Sequence, residues 1–195
     1  VIADRLFEPG TVPEWTTPEW YQGREVAPHL EQEGHRERLE LAVQYLRPYL
    51  RGHTVSDLGA GDGGLLSMVQ KGALAVWGYD LAPVNQAAAA ARGVKVETLD
   101  VIKDWDRVIL GDIVIATELL EHLIDPLDLL CRVHTSNAQY LLASSPYTET
   151  RESHYEFHTY AWDREGYYAL LRAGGWLPIT AGTAWISQVV LCTRS

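Results

Sequence analysis

The chain has 195 residues, 47% hydrophobic and 22% charged, enough for one globular domain with a sizeable core. Its 16 Lys and Arg face 26 Asp and Glu for a net charge of −10, which repels phosphate backbones and argues against a nucleic-acid partner. Even the stretch from Arg24 to Glu40 holds three Arg against five Glu. No apolar run approaches the ~20 residues needed to span a bilayer, no basic leader with an apolar core opens the chain, and Cys131 and Cys192 form neither a C-x-x-C pair nor a disulfide framework. The expectation is a soluble, reduced, cytoplasmic domain without a membrane partner.

Residues 1–28 carry Pro9, Pro13, Pro18 and Pro28 among Trp15, Trp20 and Tyr21. Proline at that density opposes a regular helix or central strand, and the aromatics call for burial, so these residues are expected to form an arm over the domain. A leading helix occupies the segment 29–50: Leu39, Val43, Leu46 and Leu50 share one face, and Pro48 ends or kinks it. From 51 onward strands and helices alternate. Strands are expected at His53–Leu58, Leu74–Tyr79, Val94–Leu99, Ile113–Thr117 and Gln139–Ala143. Helices follow Gly64, Pro83, Asp125-Pro126 and Asp163. The segments Trp176–Ala181 and Trp185–Cys192, separated by Gly182-Thr183, read as a terminal antiparallel hairpin. The fold class is therefore α/β, a Rossmann-like three-layer sandwich on a seven-stranded, mostly parallel sheet.

The segment Val55-Ser56-Asp57-Leu58-Gly59-Ala60-Gly61-Asp62-Gly63-Gly64 carries the most information. A strand feeding a glycine turn and then a helix lets backbone amides approach a ligand closely. Asp80 stands nineteen residues after Gly61, at the end of the next strand, where a carboxylate can accept both hydrogen bonds of a ribose diol. Gly59, Gly61 and Gly64 also satisfy the dinucleotide fingerprint G-x-G-x-x-G, so a nicotinamide-dependent oxidoreductase is one reading. Asp57 and Asp62 oppose it, because they flank the place of a pyrophosphate and favour a cationic ligand instead.

This segment resembles the first motif of the class I S-adenosylmethionine-dependent methyltransferases, an acid followed by alternating glycines. The resemblance continues along the chain. Asp80 matches the family's ribose-binding acid, and Leu99-Asp100-Val101 its adenine-binding segment. The run Gly111 to Pro126, with Thr117-Glu118-Leu119-Leu120-Glu121-His122, is similar to the fourth-strand signature of small-molecule methyltransferases. His158-Thr159-Tyr160-Ala161-Trp162-Asp163 and Ala173-Gly174-Gly175-Trp176 are similar to the segments before and after the last helix. The likeness covers about Leu39 to Cys192. It implies S-adenosylmethionine as cofactor, bound by Asp57, Gly59, Ala60, Gly61, Asp80, Leu81, Asp100, Val101, Thr117 and Glu118, and a small-molecule acceptor methylated at oxygen or nitrogen. Asp57 and the loop amides suit the methionine end, Asp80 the ribose, and Asp100 with Val101 the adenine.

The segment His154-Tyr155-Glu156-Phe157-His158 is a second constellation. If it is extended, His154, Glu156 and His158 share a face. Three metal ligands on one short strand are cramped, so the site is read as metal-free. His158, with His154, is instead expected at the mouth of the methyl site as base or substrate contact. His122, Tyr147, Tyr155 and Trp20 are expected to contact the acceptor, and the arm's aromatics to bury the arm or form a lid. His29, His35, His53 and His134 read as surface or structural. A non-catalytic cofactor-binding scaffold is the remaining alternative.

Overall fold

The computed structural model describes residues 3–195. Its elements in chain order are β1 (Ala3–Arg5), α1 (Pro18–Tyr21), α2 (Glu33–Leu46), β2 (Thr54–Leu58), α3 (Gly64–Val69), β3 (Ala75–Asp80), α4 (Pro83–Ala91), β4 (Val96–Thr98), β5 (Ile113–Thr117), α5 (Pro126–Thr135), β6 (Tyr140–Pro146), β7 (Tyr160–Trp162), α6 (Arg164–Ala173), β8 (Trp176–Ala184) and β9 (Ser187–Arg194). Seven strands form one sheet in the order β4-β3-β2-β5-β6-β9-β8. β2 pairs parallel with both β3 and β5, β5 pairs parallel with β6, and β9 runs antiparallel between β6 and β8. The expected α/β sandwich is present.

Central strands covered on both faces must be apolar throughout, and β5 shows how its alternation divides the core. Ile113 and Ile115 face Leu39, Leu46, Leu66 and Val69 of α2 and α3. Val114 and Ala116 face Leu129, Leu130 and Val133 of α5, together with Tyr167, Leu171 and the fully buried Trp176. Two helices begin on side-chain caps: Asp125 accepts from the Asp128 N–H at 3.0 Å and Asp163 from the Gly166 N–H at 2.7 Å. No helix among the described residues is long and apolar enough to cross a membrane.

Three local expectations need correction. The hairpin turn falls at Trp185-Ile186, because β8 runs on through Gly182-Thr183 to Ala184; Trp185 adopts the left-handed conformation at φ 51°. The leading helix begins at Glu33, with a separate 3₁₀ turn at His29–Glu31. The arm is not wholly irregular. β1 pairs antiparallel with β7 in a second small sheet, extended when the Leu6 N–H donates to the Thr159 carbonyl at 2.9 Å.

The order β3-β2-β5 makes β2 and β5 the neighbours at which the direction of strand succession reverses. Open α/β sheets bind ligands beyond the carboxyl ends of such strands. Here those ends lead into the Gly59–Gly64 loop and into Thr117-Glu118.

Candidate active site

A cavity of about 850 Å³ opens at this place, within the size range of small-molecule sites. Of the residues singled out from sequence, Asp57, Gly59, Ala60, Gly61, Asp80, Leu81, Asp100, Val101, Thr117, Glu118, His122, Tyr155, Trp20 and His158 all line it. His154 and Tyr147 do not. A smaller hollow of about 400 Å³ beside Trp105 and Arg132 lies before β5 and β6, at the opposite strand ends.

One end of the cavity is built by the glycine loop. Gly59, Gly61 and Gly63 hold φ of 77°, 54° and 73°, values that side chains strain to adopt. Asp80 fastens this loop. Its Oδ2 accepts from the Gly61 N–H at 2.8 Å, and its Oδ1 from the Ala82 N–H at 2.8 Å and the Asn85 amide at 2.9 Å. Burial raises the Asp80 carboxyl above the ordinary carboxylate value, while those three donors pull it back down. Asp57 is 2% exposed and its Oδ1 has no hydrogen-bond partner; burial, with Asp80 nearby, pushes its carboxyl well up. Asp57 lines the cavity, and an unpartnered acceptor on its carboxyl suits a ligand ammonium or another donor.

Asp62 departs from its sequence reading. Its carboxylate is ion-paired with Arg92, which also reaches Glu31 at 3.1 Å, so its charge is compensated and does not weigh against a pyrophosphate. Asp100 Oδ1 accepts from the Ile102 and Lys103 N–H groups at 3.0 and 3.1 Å, shaping the wall that Val101 completes. Glu118 lines the cavity at φ 49°, but its carboxylate is committed inward. It accepts from Ser144 Oγ at 2.7 Å and Ser187 Oγ at 3.1 Å, and pairs with Arg38 at 3.0 Å. Arg38 is 3% exposed. It was missed from sequence although it shares the stripe of Ala42 and Leu46 on α2, where an arginine signals a buried partner.

The other end is built by histidines. His122 lies on a 3₁₀ turn, Leu120–His122, rather than on a helix, and its Nδ1 is 3.0 Å from the Phe157 carbonyl. Burial, with His158 beside it, lowers its pKa to about 3. His158 Nδ1 is 2.6 Å from Glu149 Oε2, and the two rings meet edge-on with centroids 4.7 Å apart. The extended reading of residues 154–158 fails. Thr150 and Ser153 close a turn and the His158 N–H returns to the Tyr155 carbonyl, so alternate residues no longer share a face. His154 is exposed and spends its Nδ1 on the Thr150 carbonyl at 3.2 Å. Glu149 orients His158. Tyr147 instead stacks under Arg164, 4.8 Å from its ring centroid.

The arm forms the front wall. Trp20 packs on Phe157, centroids 4.7 Å apart, with the Arg24 guanidinium 4.2 Å over its ring. Tyr21 reaches far enough in that burial and neighbouring Asp80 lift its hydroxyl to about 12. His29, expected to be structural, lines the cavity and stacks on His35 at 4.6 Å; burial lowers its pKa to about 4.

A family model described as a methyltransferase domain matches residues 30–174. No curated protein matches the chain significantly. Among solved structures, the chain resembles the N-methyltransferase NodS from Bradyrhizobium japonicum WM9 in complex with S-adenosyl-L-homocysteine, with TM-score 0.73 and 13% identity over 92% of this chain and 97% of that one. It also resembles magnesium protoporphyrin IX methyltransferase (ChlM) from Synechocystis PCC 6803 with bound SAM, with TM-score 0.69 and 17% identity over 90% and 88% of the chains. The [4+2]-cyclase SpnF aligns with TM-score 0.68 and 14% identity over 88% and 83%. At these identities the likeness is one of fold. Since the family model spans about three quarters of the residues, the chain belongs to the methyltransferase-domain family and has the Rossmann-like fold of its class I members.

Proposed function

We propose that the chain transfers a methyl group from S-adenosylmethionine to a small-molecule acceptor, at oxygen or nitrogen. The observation that carries this reading is a single cavity whose floor joins two chemistries: the Asp57, Gly61 and Asp80 end and the His122 and His158 end. The orphaned Asp57 Oδ1 fits an amino-acid ammonium, Asp80 has the position for a ribose diol, and Asp100 with Val101 for an adenine edge. S-adenosylmethionine, when bound, supplies a methyl already activated by its sulfonium. The protein's task is then to align the acceptor and exclude water. His122 and His158 border the acceptor end, His158 held in place by Glu149, while Trp20, Tyr21 and Tyr155 close the cavity from solvent. A free, exposed Cys131 suits a reducing cytoplasm, and the charge of −10 supports an acceptor other than nucleic acid.

The test is thermal unfolding with S-adenosylhomocysteine and, separately, with NAD. At a hundredfold excess over its dissociation constant a ligand adds ~2.7 kcal/mol, or roughly 5–10 °C in a chain this size. Stabilisation by NAD alone would return the nicotinamide reading. Because a cyclase shares the fold, isotope transfer from labelled S-adenosylmethionine to a panel of hydroxylated and amine acceptors must accompany it. Binding without transfer to any acceptor would support the scaffold reading.

A further inference from the structure

We propose that Glu121, His122 and His158 hold a divalent transition-metal ion at the acceptor end of the cavity. Their ligand atoms lie within 4.8 Å of one another. Metal–ligand bonds of about 2.0–2.2 Å place neighbouring ligand atoms roughly 3.0–3.5 Å apart, so the widest separation would close by at most about 1–2 Å around an ion.

Glu121 gives the first reason. It is 0% exposed, and neither carboxylate oxygen has a hydrogen-bond partner. A carboxylate left so in the interior is costly unless a cation joins it. The nearby protein cation, Arg38, is already paired with Glu118.

The histidines give the second. The Phe157 carbonyl can only accept, so His122 carries its proton on Nδ1 and presents a lone pair on Nε2. The Glu149 carboxylate fixes His158 in the same way. Imidazoles oriented by a carbonyl or carboxylate on the far nitrogen are the usual outer layer of a metal site. Two imidazoles and one carboxylate on one side of an ion leave its other positions open. His122 and His158 line the cavity and Glu121 lies behind them, so the open positions face the ligand space. The nitrogen donors favour zinc, iron(II), manganese or cobalt over magnesium and calcium, which take oxygen ligands.

The metal-free expectation from sequence weighed His154, Glu156 and His158. The fold retains only His158 of that trio and supplies Glu121 and His122 in place of the others. In this arrangement His158 holds the ion and does not take a proton. The ion would bind an acceptor through an oxygen, a role that rests on the methyl-transfer reading; the binding of the ion does not.

The experiment strips the protein with chelator and titrates it with cobalt(II), following visible d–d absorption and calorimetry, with S-adenosylhomocysteine binding measured in parallel. One equivalent is expected. Glu121→Gln, His122→Ala and His158→Ala should each weaken cobalt binding at least tenfold. Glu149→Gln, acting through the His158 tautomer, should weaken it ~10–100-fold. S-adenosylhomocysteine affinity should stay within a few-fold in all four. No stoichiometric cobalt binding by the unmutated protein overturns the site, as does equal affinity in every variant that folds. Cobalt binding without S-adenosylhomocysteine binding would leave the site standing and remove the methyl-transfer reading.

Discussion

Asp57 is buried, charged in water and without a hydrogen-bond partner on Oδ1. With its folded pKa raised by burial, the ligand-free native state keeps a proton that the unfolded chain loses above about pH 4. The unfolded state then binds fewer protons, so this group's contribution falls as pH rises through the raised native value. Urea unfolding of the ligand-free protein should therefore show Asp57→Asn gaining more over wild type at pH 7.5 than at pH 5. An equal difference at both pH values would contradict the assignment. The same variant should bind S-adenosylhomocysteine more weakly. Asp80→Ala should cost ~1.5–3 kcal/mol of that affinity, the scale of hydrogen bonds to a charged group; a loss under threefold by calorimetry would remove Asp80 from the ribose. The place of both aspartates on the cavity was legible because it follows from their distance to a strand end. Glu149 and Arg38 were not. They reach their partners from a loop and from a different helix, and nothing in local spacing records such contacts.

Among the elements, the glycine loop and the arm carry the sharpest consequences. A Cβ at Gly63 would meet Val94 Cγ2 at 2.6 Å and Ala89 Cβ at 2.9 Å, where α4 packs on the loop. Left-handed strain and overpacking together make Gly63→Ala cost roughly 2–4 kcal/mol, a loss of about 5–15 °C in Tm. An unchanged Tm would mean that the loop and α4 are not packed as described. The arm reaches the cavity from Val12 to Ala27, so cofactor should protect it. Proteolysis around Thr11–Gly23 should slow severalfold with S-adenosylhomocysteine, and equal cutting with and without ligand would exclude a lid. The sequence marked this arm by its prolines and aromatics. It could not mark the β1–β7 pairing, because a three-residue strand has too few positions to display an alternation. The misplaced hairpin turn has a different cause: Gly182-Thr183 carries the usual turn chemistry, yet Gly182 and Thr183 pair with Val189 and Gln188 in the ladder, and Gly182 packs closely against Tyr45.

At the scale of the whole molecule, the strand count and layer arrangement were readable because alternating strands and helices with capped boundaries leave few architectures open; the strand order itself comes from the structure. The seven strands of the main sheet fell near their expected positions, and their apolar pattern is two-sided where both faces are covered. Side chains converging from distant segments were harder to foresee. His29 and His35 were read as structural, yet they border the cavity because the residues before α2 cross over Gly61. The global charge also bears on partners. With ten excess negative charges, no anisotropy change is expected with a labelled 20-mer DNA at 50 mM salt; salt-sensitive binding there would reveal a basic surface outweighing that charge.

The pairing of Ala3–Arg5 with Tyr160–Trp162 also orders the assembly of the molecule in time. Closing a loop of about 160 residues in an unfolded chain costs on the order of 4–5 kcal/mol in entropy, against three ladder positions. Once the central sheet has formed, the same closure spans only the arm and is cheaper by about 1.5 kcal/mol. Strand β1, which precedes the main sheet along the chain, is therefore expected to dock after it, and the cavity to gain its front wall once its floor is complete. In pulse-labelled hydrogen exchange during refolding, the amides from Asp4 to Leu6 should become protected after those of Ile113–Thr117. Simultaneous protection would show that arm and sheet form in one step.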